Sequence, residues 1–446
     1  MKKRPRMLCL VCAILVAAGC SPKSPTNTPP HSTTSKTPPA AGSPSAASPK
    51  ADPPSSPLLD QIRQWGGTVE LNEQQQVVSV DLLPASLKDS DVEMLVGLTD
   101  LRQLKLKGAG ITDASMQLVA GFSHLTSLTL DTVGVTDAGV KSLTALKNLT
   151  VLQLHRLARV TDAATGCFKD LPRLEHLVLT DCYISDGGLL AISRLQSLKT
   201  LDLEGSDLIG DAGLESLAGL KSLQTLRVRS RSISDSGLEY LASMSQLRTL
   251  AIEDSLAISD AGMESIGRLT NLEDLSVAQA FQATDEGLSH LAGLTKLRRL
   301  DLRRWAINGS GLAHLKNMAE MESLDLGGSP ISDQSLLHLK ALPKLATLNV
   351  MATPLTDAGM KTLGELSGLR TLILRDANIT DAGLPHLTAI TELRRLELRK
   401  VPLTDASVPH LARFAKLKEL DIRQTGITAA GATELHNKLP QTKILN

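Results

Sequence analysis

Leu369-Arg370-Thr371-Leu372-Ile373-Leu374-Arg375-Asp376-Ala377-Asn378-Ile379-Thr380-Asp381-Ala382-Gly383-Leu384-Pro385-His386-Leu387-Thr388-Ala389-Ile390 contains one complete change of rhythm. Leu372 and Leu374 stand two residues apart, flanked by Thr371 and Arg375, the period of a half-buried strand. Beyond Thr380-Asp381 the apolar residues fall at 384, 387 and 390, the spacing of a helix face. Thr380 suits a helix N-cap, and Asp381 stands at the positive end of the helix dipole. The same L-x-x-L-x-L opening starts at Leu101, Leu125, Leu149, Leu174, Leu198, Leu223, Leu247, Leu272, Leu297, Met321, Leu345, Leu393 and Leu417, in steps of 24 or 25 residues. Val77, Val80 and Leu82 make a degenerate first copy. Fifteen strand-bearing repeats therefore precede a tail ending Lys443-Ile444-Leu445-Asn446. One unit cannot bury its own leucines, so the units must stack, pair their strands in parallel and share an aliphatic core. At about 4.8 Å per strand, fifteen make a face about 70 Å long.

These units, with their I-T-D-A-G-L helix starts, resemble the leucine-rich-repeat family, in particular its bacterial lipoprotein and ribonuclease-inhibitor-like members. The resemblance covers Val77–Asn446. It implies an α/β solenoid, a horseshoe with a parallel concave β-sheet and convex helices, over residues 77–446. Many such repeats carry Asn three residues after the last strand leucine. Here that slot holds Ala109, Val133, Cys182, Thr353, Ala377 or Thr425, so the turn backbone must be satisfied differently. Residues 58–76 read as an N-terminal cap. Leu58, Leu59, Ile62 and Trp65 have helical spacing, and Thr68–Leu71 reads as a short strand before a turn at Asn72-Glu73.

The N-terminus reads as an address. Basic Met1–Arg6 precedes an apolar run, Met7–Gly19, shorter than the ~20 residues a spanning helix needs. That order fits an export signal over residues 1–19. Val16-Ala17-Ala18-Gly19-Cys20 resembles the lipobox of bacterial lipoproteins, although Ala17 stands where leucine is usual. The resemblance implies cleavage before Cys20 and lipidation of Cys20, placing the chain in the cell envelope. Cys9-x-x-Cys12 falls inside this segment and is not read as a redox or metal motif. Residues 20–57 hold 11 of the 21 prolines, amid Ser, Thr and Ala, and read as a disordered tether. Without the four basic residues of the leader, 43 basic and 47 acidic residues remain. That balance argues against broad nucleic-acid binding.

Two rows of potential metal ligands have simpler readings. His290, His314, His338, His386 and His410 recur at one helix position, but neighbouring helices stand ~8–10 Å apart, too far to share an ion. The aspartates from Asp113 to Asp405 fit helix capping, and Gly309 and Ala429 interrupt the row. Neither row is assigned a metal, and no cofactor is expected. Cys167 and Cys182 read as free thiols, with a disulfide as the alternative. No H-E-x-x-H, G-x-S-x-G, Walker or dinucleotide motif occurs.

Variable strand positions project from the concave face. Arg375, Arg399 and Arg423 follow one another there, with Arg299, Arg303, Arg304, Arg395 and Lys400 nearby. They suggest a patch for an anionic partner, either a protein segment or an anionic glycan. A solvated face with local ion pairs is the alternative. Trp305 fills a slot that is small elsewhere and is expected to protrude as an anchor. The 25-residue steps start at Leu149, Leu198, Leu247 and Leu272, each with its extra residue between strand and helix, on one edge. The reading is a lipid-anchored, non-catalytic interaction scaffold. An enzyme using the repeats for substrate capture and a structural spacer remain the alternatives, and the oligomeric state is open.

Overall fold

The computed structural model describes residues 57–446. The leader, Cys9, Cys12, Cys20 and the tether up to residue 56 lie outside the described residues. A helix over Pro57–Gln64 buries Leu59 and Ile62. It takes in Pro57, which the sequence reading gave to the tether; proline's fixed φ suits a first helical turn.

Among the described residues, seventeen strands form one sheet. Thr68–Leu71 runs antiparallel to Val77–Asp81, pairing Val69 with Val80. Every later strand lies parallel to its predecessor in the chain. Leu128, Leu152 and Leu177 stand in register across three strands, and so do Leu324, Leu348 and Leu372. The tail adds one more strand: Lys443–Leu445 pairs with Glu419–Asp421. The expected leucine-rich-repeat solenoid is thus formed, with fifteen repeat strands between a terminal antiparallel strand and a terminal parallel one.

The two periods of the sequence supply the two walls of the core. Leu372 and Leu374 enter it from the strand, Ile379 from the turn, and Leu384 and Leu387 from the helix, all fully buried. One continuous aliphatic cluster runs from Ile62 to Ile444. Burying a leucine contributes about 1.5–3 kcal/mol, so the repeated ladder dominates stability. The helical side is short and mixed. Asp211–Leu217 is α-helical, whereas Ser310–Asn317 and Asp333–Ala341 are tighter 3-10 helices.

Thr and Ser act as N-caps: the Thr136 hydroxyl accepts from the Ala138 amide at 3.2 Å. The aspartate beside each cap does more than meet the helix dipole. Its carboxylate accepts from the cap backbone of the following repeat. Asp113 takes the Thr136 amide at 2.8 Å and the Thr136 hydroxyl at 2.6 Å. Thirteen aspartates, from Asp89 to Asp405, each accept such an amide at 2.7–2.9 Å. They form a carboxylate ladder that ties each helix start to the next.

The ladder explains the glycine of the D-A-G motif. A Cβ at Gly139, Gly213 or Gly262 would overlap the aspartate oxygen of the preceding repeat. Where serine replaces it, at Ser115 and Ser407, the hydroxyl donates to that oxygen instead. Both interruptions of the row fit this account. Ala429 lies in the last helix, and the strand after it ends the sheet. Gly309 adopts a left-handed φ of 95°, and its loop meets the next repeat through a backbone bond, Ser332 N–H to Asn308 O at 3.1 Å.

A second irregularity follows the strands. Ten of the residues just after them, including Thr132, Arg156, Arg304, Lys400 and Gln424, have positive φ without being glycine. The turn closes on the next strand: Lys400 N–H donates to Arg423 O at 3.0 Å.

Candidate functional site

Alternation in each strand sends two residues out for every leucine pair sent in. Arg395, Glu397 and Arg399 therefore share the open face of the sheet, while Leu396 and Leu398 are buried. The expected basic residues stand there in two groups. Arg299, Arg303 and Arg304 belong to one repeat, and Arg375, Arg395, Arg399, Lys400 and Arg423 to three repeats nearer the C-terminus. Three strand steps, about 14 Å, separate the two. Gly327, Asn349 and Met351 lie between them and carry no charge.

Most of these cations have carboxylate partners. Arg375 and Arg395 both reach Glu397, Arg395 at 2.6 Å. Arg423 pairs with Asp421 at 2.7 Å and Lys400 with Asp376 at 3.2 Å. Glu397 and Asp421 are almost wholly buried, whereas the Arg395 and Arg423 side chains are 46% and 43% exposed. The carboxylates act as buried posts that hold the guanidinium ends toward solvent. Burial pushes the Asp421 carboxyl up, but its hydrogen bonds from Arg423 outweigh this and leave it below the ordinary value. Arg399 donates to Gln424 at 2.9 Å and has no carboxylate partner among the described residues. This part of the face keeps outward positive ends, although it is close to neutral in sum.

Trp305 does not protrude. It is 1% exposed. Its slot, three residues after the last strand leucine, is buried in most repeats, and the flanking occupants Ala280 and Ser329 are small enough to admit an indole. The indole N–H donates to Val277 O of the preceding repeat at 2.6 Å. Ser329 Oγ likewise donates to Leu302 O at 3.2 Å, and Cys182 Sγ lies 3.7 Å from Leu154 O. These polar side chains satisfy the turn backbone that an asparagine ladder would otherwise serve. Among the described residues Cys167 and Cys182 are both free, and burial pushes the Cys182 thiol up to about 12.

Sequence reasoning missed a depression in the middle of the face. It has a volume of about 290 Å³. Ala251 and Ser276, consecutive short residues in one outward column, leave a gap between the longer Arg227 and Asp301. Glu204, Glu253, Asp274 and Asp325 stand on its wall with Arg299. Burial raises the Glu253 carboxyl, against the pull of Arg303. Burial and neighbouring Asp301 push Asp325 up to about 6. Arg303 spans this wall, 2.6 Å from Asp301, 3.6 Å from Glu253 and 3.8 Å from Asp325. Two short residues in successive copies of one column were the available signal.

The 25-residue repeats lengthen one edge only. Their extra turns leave Leu208, Leu256 and Phe281 substantially exposed, near Tyr183 of an ordinary repeat. The histidine row lies on the helical side, and among the described residues no cluster of three or more His, Cys, Asp or Glu could hold a metal ion. No described helix is long and apolar enough to cross a membrane.

Comparison with known proteins agrees with this architecture. An internalin (InlF) of Listeria monocytogenes is 22% identical, with a TM-score of 0.52, over 80% of this chain and 88% of its own. The yeast Rad7 and Elc1 complex gives 19% identity and a TM-score of 0.51, over 80% of this chain and 83% of that one. The functional domain of InlJ from Listeria monocytogenes gives 18% identity and a TM-score of 0.48, over 81% and 72%. No curated protein sequence matches the chain. The family described as leucine-rich repeat region matches residues 124–384, more than half of the chain. With its thirteen-rung carboxylate ladder and in-register leucines, this chain belongs to the leucine-rich-repeat family.

Proposed function

We propose that the chain is a lipid-anchored protein of the cell envelope whose open strand face binds another protein, without catalysis. Leucine-rich-repeat proteins generally act as protein-interaction scaffolds. The observation that carries the reading is the face itself. It is continuous over the repeat strands and studded with exposed charged side chains of both signs, held in place by neighbours. Mixed charge suits a protein partner with its own mixed pattern better than a uniformly anionic glycan. The anchor rests on Val16–Cys20, and the tether supplies reach from the membrane.

Photo-crosslinking in native membranes tests the binding face. Benzoylphenylalanine replacing Thr347, on the open face, should give discrete crosslinked protein species. The same residue replacing His314, on the helical side, should give none. Crosslinks from position 314 alone would overturn the proposal. The anchor has its own test: Cys20→Ser should abolish incorporation of labelled palmitate and release the chain from membranes. Retained label would refute lipidation at Cys20.

A further inference from the structure

We propose that the depression at Ala251 and Ser276 is a socket for an arginine side chain of the protein partner. This rests on the open-face reading above and names where that face grips.

Three observations support it. The first is shape. A gap of about 290 Å³ sits at the lower limit of small-molecule pockets, ~300–1,000 Å³, and fits one long side chain better than a whole ligand. Its cause is local, because Arg227 occupies in the neighbouring repeat the position that Ala251 leaves nearly empty. The second is charge. Glu204, Glu253, Asp274, Asp301 and Asp325 line the gap against Arg227 and Arg299. Even with Arg303 beside it, carboxylates outnumber guanidiniums. The third is an unmet acceptor. Asp274 Oδ2 is taken by Arg299, while its Oδ1 is buried with no hydrogen-bond donor. A guanidinium offers five donors in a planar fork that matches carboxylates on several sides, and its stem can lie along Ala251. The raised carboxyls of Glu204, Glu253 and Asp325 are consistent with this. Burial disfavours their charge in the free protein, and an incoming cation would relieve that cost.

The test uses the full chain and defined peptides. Acetyl-Gly-Ser-Arg-Ser-Gly-amide and its citrulline counterpart, equal in shape but uncharged, are titrated by saturation-transfer NMR. The arginine peptide should bind at least fivefold more tightly. Ala251→Arg, which fills the gap with the side chain its neighbour already carries, should weaken that binding at least fivefold. Ala251→Leu, which fills it without charge, should do the same, and His314→Ala, on the helical side, should leave it unchanged. Equal or absent binding of both peptides, or full binding by both Ala251 variants, would overturn the socket. Crosslinking from position 347 separates the two levels. Crosslinks that persist undiminished in Ala251→Arg would refute the socket and leave the open-face reading intact. No crosslinks from any open-face position would refute that reading itself.

Discussion

Asp325 and Trp305 show how much one residue's surroundings decide. Asp325 accepts from the Gly327 amide and from Asn349, both at 2.9 Å, yet burial and Asp301 push its carboxyl up to about 6. A carboxyl with a folded pKa above its unfolded one destabilises the fold when both states are ionised. That cost is full above pH 6, shrinks as pH falls toward the unfolded value of 3.8, and vanishes below it. Asp325→Asn should therefore raise stability at pH 7.5 by up to about 2–3 kcal/mol. Melting curves of both proteins should converge as the pH approaches 4, and a constant difference across that range would contradict the assignment. Trp305→Phe keeps an aromatic ring in the slot but removes the donor to Val277 O, leaving a buried carbonyl without its partner at a cost of about 1–3 kcal/mol. Denaturant titration reads that loss, and an unchanged midpoint would mean the hydrogen bond contributes nothing. Trp305 was misread from sequence for a physical reason. Its slot was recognised as small in other repeats, but whether a slot points inward depends on how the turn closes, and the left-handed residues of those turns are mostly not glycine.

At the scale of the element, each helix start is built by two repeats. The cap hydroxyl comes from its own repeat and the carboxylate from the one before. The strands and helices were legible because leucine spacing encodes them within each unit. The carboxylate ladder was not, because its contacts join residues 23 or 24 apart. At that separation the donor and acceptor look like copies of one motif rather than partners. The role of the D-A-G glycine was illegible for the same reason, since the oxygen it makes room for belongs to the preceding repeat. The distinction can be measured at Asp235 and Gly262. Asp235 accepts the Ser259 amide at 2.8 Å and its hydroxyl at 2.6 Å, and a Cβ at Gly262 would overlap Asp235 Oδ1. Asp235→Ala should cost about 1–3 kcal/mol through the unpaired amide. Gly262→Ala should cost about as much through overpacking. Together they should cost less than their sum by at least about 0.5 kcal/mol, because removing the carboxylate makes room for the methyl. Strict additivity in chemical denaturation would show that the glycine serves its own helix alone.

Across the described repeats, stability is a chain of nearest-neighbour terms, so one weak interface sets where the array opens. The ladder identifies that interface. Every aspartate from Asp89 to Asp285 and from Asp333 to Asp405 clasps the next repeat, but Gly309 has no side chain to do so. The repeats on either side are also the ones with 3-10 rather than α-helices. Strand pairing is uninterrupted there, with Leu300 in register with Leu324 and Leu348. Any loosening must therefore begin on the helical side and leave the sheet intact. This interface crosses the edge of the acidic depression, whose wall takes Asp301 from one repeat and Asp325 from the next, so bending there would reshape that wall and change its spacing from Arg375, Arg399 and Arg423. Hydrogen exchange should detect it. Amides at the start of the helix Asp333–Ala341, Ser335 above all, should exchange at least tenfold faster than their counterparts at Ala261 or Ala358, where a clasped Ser259 or Thr356 caps the helix. Strand amides of residues 323–325 should stay as protected as their neighbours. Uniform protection on the helical side would mean that leucine packing alone holds adjacent repeats together and that the carboxylates merely decorate the contact.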